Sequence, residues 1–234
     1  MRPLHLVQAR VLAPQALQLV RRHVPVARYL EGARIPPELL RREWAPIPKR
    51  SHFWRFLDAV ERGEELPLLG FMFGERLELA ELGQWGRYVG SAATLHEALR
   101  RASETIGNFA QGNRISIEAG EHSALVGIVN EEPVASRIAD HTGLKFLLTL
   151  VEAVADPSWK VRRASLRTGP VPEVTGLDCF AACDLAFRAN WASLEVPLEY
   201  LARPLPELAD PLEANPVLPL PEGREITPKL RVVL

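Results

Sequence analysis

Cysteine is scarce in this chain of 234 residues, occurring only as Cys179 and Cys183. Two thiols exclude a disulfide scaffold and a zinc site built from cysteine alone. Four positions apart, they would share a face if helical, and they read as small core or surface residues. Lysine is nearly absent beside arginine, 4 against 24, which reflects codon usage rather than chemistry. No apolar run reaches membrane-spanning length. The N-terminus, Met1 to His5 with charges returning at Arg10 and Arg21–Arg22, lacks the pattern of a secretory signal. A cytoplasmic protein without membrane contact is expected. Charge of one sign is missing too: 28 basic against 29 acidic residues leave a net charge of -1. Nothing in the whole-chain balance drives nucleic-acid binding.

Catalytic signatures are also missing. No Gly-x-Gly-x-x-Gly, P-loop, His-Glu-x-x-His or Gly-x-Ser-x-Gly motif occurs. The histidines at 5, 23, 52, 96, 122 and 141 form no pair at helical ligand spacing, which leaves a metal site without local support. A haem would need an axial histidine or cysteine in a pocket. No catalytic residue, metal or cofactor is assigned.

What is present is globular. Hydrophobic residues make up 47% and charged residues 24%, enough to build one large domain or two small ones. The charge is uneven, +7 over residues 1–60 and -8 over residues 61–234. The dispersed N-terminal arginines read as the solvated face of several short helices, with a phosphate or acidic partner as the alternative.

Residues 12–62 pattern as helices. Pro36-Pro37 places proline in a first turn, where its missing N–H costs little. Phe53, Phe56, Leu57 and Val60 recur at helical spacing within a helix from about Pro48 to Arg62, stopped by Gly63. A short buried helix is expected around Leu68–Phe73. Thr94-Leu95-His96-Glu97 is a capping box, its carboxylate reaching back to the Thr94 amide. It opens a helix with Leu95, Leu99, Ala102 and Ile106 in one stripe.

The period then changes. Residues 114–119 alternate, Gly120-Glu121 offers a turn, and Ser123 to Val129 returns as a second strand. Ser136–Val154 is helical, with Leu144, Leu147, Leu148 and Val151 on one face. A strand over Lys160–Arg167, a short helix over Val171–Cys179, and two strands turning tightly at Asn190 follow. The expected class is α+β, a helical part over about 1–110 and an antiparallel sheet over about 111–210 in the order β-β-α-β-α-β-β. Seven prolines fall within the last 32 residues. Residues 211–234 read as a semi-extended linker.

A pocket for a small, partly apolar ligand would be lined by aromatic residues and a few polar groups. Trp54, Phe71, Trp85, Tyr88, Phe146 and Phe187 are the candidates, chosen because they lie on expected core elements. Plain core packing is the competing explanation for each. Two other functions compete. One is a small hydrolase using His141 with Asp140, although neighbours on a helix point to different faces. The other is a ligand-independent interaction domain docking through the basic N-terminal helices, which an exposed apolar patch would favour.

The stretch Leu82-Gly83-Gln84-Trp85-Gly86-Arg87-Tyr88-Val89-Gly90-Ser91-Ala92-Ala93-Thr94-Leu95-His96-Glu97-Ala98-Leu99 resembles the N-terminal effector domain of AraC-type transcriptional regulators. The subclass it is most similar to includes the ornithine-utilisation regulators. Gly32–Leu40, Phe53–Leu57, Gly70–Arg76, Leu185–Trp191 and Leu201–Pro206 fit the same pattern in order, so the resemblance spans roughly residues 10 to 211. One departure stands out: Gly176-Leu177-Asp178-Cys179-Phe180-Ala181 replaces the usual Tyr-x-x-Phe-Phe-Gly. The resemblance implies a small-molecule sensor that forms a homodimer. It implies DNA binding only through a C-terminal pair of helix-turn-helix motifs, a domain absent from this chain and expected to follow the linker. It carries over no ligand-binding residue.

Overall fold

The computed structural model describes residues 5–41, 45–48, 52–73, 79–130 and 137–206. The chain opens with strand β1 (Leu6–Gln8), helices α1 (Leu12–Arg21) and α2 (Val26–Gly32), and a 3-10 turn over Pro37–Arg41. Strand β2 (Pro46–Pro48) then pairs antiparallel with β1. Neither strand is foreshadowed by alternation, because three residues are too few to show a period. Helix α3 (Trp54–Gly63) carries the expected stripe, with Phe56, Leu57 and Val60 fully buried. Pro48, where this helix was expected to start, instead ends β2, and residues 49–51 lie outside the described residues.

Three more helices follow: α4 (Leu69–Met72), α5 (Gly83–Gly90) and α6 (Leu95–Phe109). The cap of α6 differs from the expected box by one residue. Thr94 Oγ1 accepts from the Glu97 amide at 3.2 Å, whereas Glu97 Oε2 accepts from the Ala93 amide at 2.8 Å rather than from Thr94. Thr94 itself is extended, as N-cap residues usually are, and forms an isolated bridge with Pro204. Gly112, with φ of +72°, turns the chain from α6 into the sheet.

The sheet contains β3 (Asn113–Ala119), β4 (Ser123–Asn130), β5 (Arg163–Ser165), β6 (Asp184–Ala186) and β7 (Ala192–Pro197), in spatial order β3-β4-β7-β5-β6. The class is α+β, but the sheet departs from an all-antiparallel arrangement. β5 and β6 run parallel, with Arg163 opposite Asp184. β6 and β7 are not a hairpin, since β7 inserts between β4 and β5. Burial explains the insertion: Ala192, Leu194 and Val196 are almost wholly buried, and Ser193 on the opposite side is buried as well. A strand buried on both faces belongs at the centre of a sheet. The parallel pair needs a long crossover, which residues 166–183 supply through α8 (Pro172–Thr175) and a 3-10 turn over Asp178–Phe180. These two short turns replace the single helix expected over Val171–Cys179. Cys179 and Cys183 are free thiols, half-buried.

Helix α7 (Arg137–Glu152) is the hub of the molecule. It packs on β4 and β7 with one side and on α3 and α4 with the other. Leu144, Leu147, Leu148 and Val151 are fully buried as the stripe requires, but so are Ile138, His141 and Leu150. A helix buried on most of its faces, polar residues included, is an interior helix. Helix α4 approaches closely because residue 70 is glycine: a Cβ there would lie 2.5 Å from His141 Cβ and 2.9 Å from the Ile138 carbonyl oxygen. One continuous apolar core joins the N-terminal helices to the sheet. Helix α9 (Leu198–Leu201) closes the described chain, tied back by Arg203, which pairs with both Asp156 oxygens at 3.0 Å. The proline-rich segment 211–234 lies outside the described residues.

Candidate functional site

A cavity of about 100 Å³ lies where the helical part meets the sheet, with walls from α1, α3, α5, α6, β4 and α7. Its aromatic wall is built by short-range helical geometry. Trp85 faces inward with Val89, one turn later on α5. Its indole stacks on Phe109 at a centroid distance of 4.4 Å and 8° between planes, and tilts against Phe146 of α7 at 5.6 Å. The Trp85 indole N–H is committed to Thr105 Oγ1 at 2.9 Å, which fixes the ring. Across the cavity, Phe53 and Trp54 meet edge to face at the start of α3.

Five residues with polar groups interrupt the apolar walls. Gln15, on α1 and only 3% exposed, has its Oε1 buried without a hydrogen-bond partner. Trp54 and Thr142 line the same cavity, and Trp54 Nε1 and Thr142 Oγ1 are likewise buried and unpartnered. A buried amide, hydroxyl or indole N–H left unpaired costs about 1–3 kcal/mol. Three such groups around one cavity form a cluster of unused hydrogen-bonding capacity. Asn113 and Asn130, directly opposite one another across β3 and β4, complete the sheet end of the cavity. No charged side chain lines the cavity among the described residues.

The structure brings together three of the six aromatic candidates: Trp54, Trp85 and Phe146. The others sit elsewhere. Phe71 is buried behind α4, against His141 at 4.6 Å and Phe180 at 5.7 Å. Tyr88 is 45% exposed on the outer side of α5, beneath the Arg101 guanidinium at 5.0 Å. Phe187 is half-buried just past β6, against the edge of the core. Gln15 and Thr142 were beyond sequence reasoning, because a polar residue on an apolar helix face carries no mark of what it faces. Phe109 closes the stripe of α6, so its inward direction was legible.

Asp140 and His141 do not form a pair. Asp140 accepts from the Arg167 guanidinium at 3.1 Å and from the backbone amides of Arg167 and Thr168 at 3.0 and 3.2 Å. Burial pushes its carboxyl up despite these partners. His141 is fully buried against Phe71, and neither ring nitrogen has a hydrogen-bond partner. Burial, with a smaller contribution from the Arg137 charge, pushes its pKa down to about 4. Burial raises both thiols, that of Cys183 to about 11, which opposes thiolate formation. Among the described residues no group of three or more His, Cys, Asp or Glu could hold a metal ion. None of the helices among those residues is long and apolar enough to cross a membrane.

A second, more open concavity of about 440 Å³ is lined by Asp58, Glu61, Arg62, Arg137 and Thr168. Its charges answer one another, Arg137 pairing with Glu61 at 3.0 Å. In the smaller cavity, by contrast, the unpaired polar groups lie within apolar walls, the lining typical of small-molecule pockets.

The crystal structure of transcriptional regulator CdpR from Pseudomonas aeruginosa is similar, with a TM-score of 0.49 and 20% identity over 77% of this chain. The chain covers 56% of that regulator's length. No curated protein matches the sequence. The family model described as the arabinose-binding domain of AraC transcription regulator, N-terminal, matches residues 24–205, a span that includes most of the walls of the smaller cavity. The chain belongs to that family, and is a regulatory domain of the ligand-sensing kind.

Proposed function

We propose that this domain senses a small molecule in the cavity between its helical part and its sheet. Occupancy would then bias a tethered helix-turn-helix DNA-binding domain within a cytoplasmic homodimer. The observation that carries this reading is the cluster of Gln15, Trp54 and Thr142, three buried polar groups without partners around one cavity. Native proteins pair such groups with protein, water or ligand. The cavity also touches elements of both the helical part and the sheet part, from α1 to β4 and α7. A ligand there contacts both parts, so it can favour one relative arrangement by its differential affinity. The segment Leu82–Leu99, which supplies Trp85, supports placement near the ornithine-utilisation subclass. The absence of an acidic side chain from the described walls argues against ornithine itself as the ligand.

The test is a reporter assay with the full-length regulator and Gly143→Leu. Gly143 lines the cavity, and a Cβ there already meets Ile128 Cδ1 at 3.3 Å, so a leucine makes Ile128 give by a few tenths of an ångström and takes up cavity space. The variant is expected to fold, by circular dichroism, and to lose its response to inducing culture extract. A full response from the folded variant would sink the assignment of this cavity.

A further inference from the structure

The chemistry of the walls narrows what the cavity can hold. We propose that its ligand is an uncharged, flat, mostly apolar molecule about the size of one six-membered ring, bearing a carboxamide or an equivalent acceptor–donor pair. It is neither a pentose nor a free amino acid. The inference rests on the cavity being the sensing site.

Size comes first. An engineered apolar cavity of roughly 150 Å³ accepts benzene, so the smaller volume here, about 100 Å³, limits the ligand to one small ring. Shape follows from the planar wall of Trp85 stacked on Phe109, with Phe146 tilted beside it. Charge is excluded by desolvation. An ion buried among these walls would meet no opposite charge on the described lining residues, and an unpaired buried ion is strongly disfavoured.

The polar atoms then choose among neutral molecules. Trp54 Nε1 can only donate, so it needs an acceptor. Gln15 Oε1 can only accept, so it needs a donor. Thr142 Oγ1 can do either. A primary carboxamide meets these needs, its carbonyl facing the indole N–H and its N–H facing the glutamine oxygen. The Trp85 indole N–H, spent on Thr105, is not available. A pentose brings a hydroxyl at nearly every carbon, and most would face the apolar walls unpaired. The family's descriptive name therefore does not carry over to the ligand of this chain.

The test is calorimetric titration of the purified chain with benzamide, benzoate, toluene, L-arabinose and L-ornithine. Benzamide is expected to bind at least tenfold more tightly than benzoate, arabinose or ornithine. Trp54→Phe keeps a ring but removes the donor, and Gln15→Leu keeps the bulk but removes the acceptor. Each is expected to weaken benzamide roughly five- to tenfold, as the loss of one hydrogen bond does, and to weaken toluene, which makes no hydrogen bond, by much less. If one variant does not fold, the other decides alone. Benzamide binding that ignores the folded variant overturns the ligand class, as does tighter binding of benzoate, arabinose or ornithine that Gly143→Leu abolishes. In the latter case the sensing site stands. Failure of all five probes also overturns the class, and the reporter assay with Gly143→Leu then decides the site independently.

Discussion

Asp140 and His141 are adjacent on α7 and do opposite things. Asp140 joins α7 to the chain after β5, and Arg167 extends the link by donating to the Asn130 carbonyl at 2.9 Å. Arg167 is only 12% exposed and Asp140 3%. Asp140→Ala would leave a buried guanidinium unpaired, and is expected to cost about 3–5 kcal/mol in urea unfolding. His141 is stacked, neutral and unpartnered. Its pKa is pushed down to about 4 in the folded protein, whereas the unfolded chain titrates near 6.5. The unfolded chain therefore takes the proton first as pH falls. The stability contributed by neutral His141 is whole above pH 6.5 and is lost progressively towards pH 4. Unfolding free energy is expected to fall by about 2 kcal/mol more between pH 7 and pH 5 in the parent than in His141→Leu. Asp140, raised by burial, acts in the opposite sense, and because both proteins keep it the comparison isolates the imidazole.

At the scale of elements, two local features hold the cavity's frame. The first is the start of α6, where the Thr94 hydroxyl satisfies a first-turn amide that would otherwise be orphaned. Thr94→Ala is expected to cost about 1 kcal/mol. In a domain of this size that lowers the melting temperature by about 2–4 °C, measurable by scanning calorimetry. The second is the contact of α4 with α7, which depends on the bare backbone of Gly70. Gly70→Ala would press a methyl against the Ile138 carbonyl and the His141 side chain. Overpacking of this kind costs about 1–3 kcal/mol, and a chemical denaturation curve would report it. Gly70 also lines the cavity, so the displaced α4 is expected to weaken ligand binding as well. The helices α3, α6 and α7 were legible because each is long enough to repeat its stripe. The strands β1 and β2 were not, and although strands were expected where β5 and β6 lie, their partners do not follow from so few residues.

For the whole molecule, the continuous core means that the helical and sheet parts respond together. Saturating the cavity with benzamide is expected to slow amide exchange in α1, α3, α6 and α7 alike, because all four supply walls. Protection confined to one part would show that the cavity does not couple them. Stabilisation should also follow mass action, with melting temperature rising with ligand concentration beyond the dissociation constant. Of the candidate site, the aromatic wall was partly foreseen. Trp54, Trp85 and Phe146 converge on the cavity, whereas Tyr88, only three positions from Trp85, lies on the outside of α5. A short glycine-rich helix such as α5 shows too little periodicity to say which aromatic turns inward.

Local and compositional properties were settled by the sequence alone. These include the α+β class, the helix that Thr94 caps, the β3–β4 hairpin with its apolar alternation, and the family pattern around Leu82–Leu99. Each depends on interactions within a few residues, or on a periodicity long enough to repeat. Only the tertiary structure decided that β7 runs between β4 and β5, that β5 and β6 are parallel, and that Asp140 is spent on Arg167. Only it placed Gln15, Trp54 and Thr142, separated by dozens of positions, around one cavity. The physical reason is that burial and hydrogen-bond satisfaction are decided across the whole core. A residue's own neighbours in sequence determine its local conformation, but not which distant groups it will find or be left without.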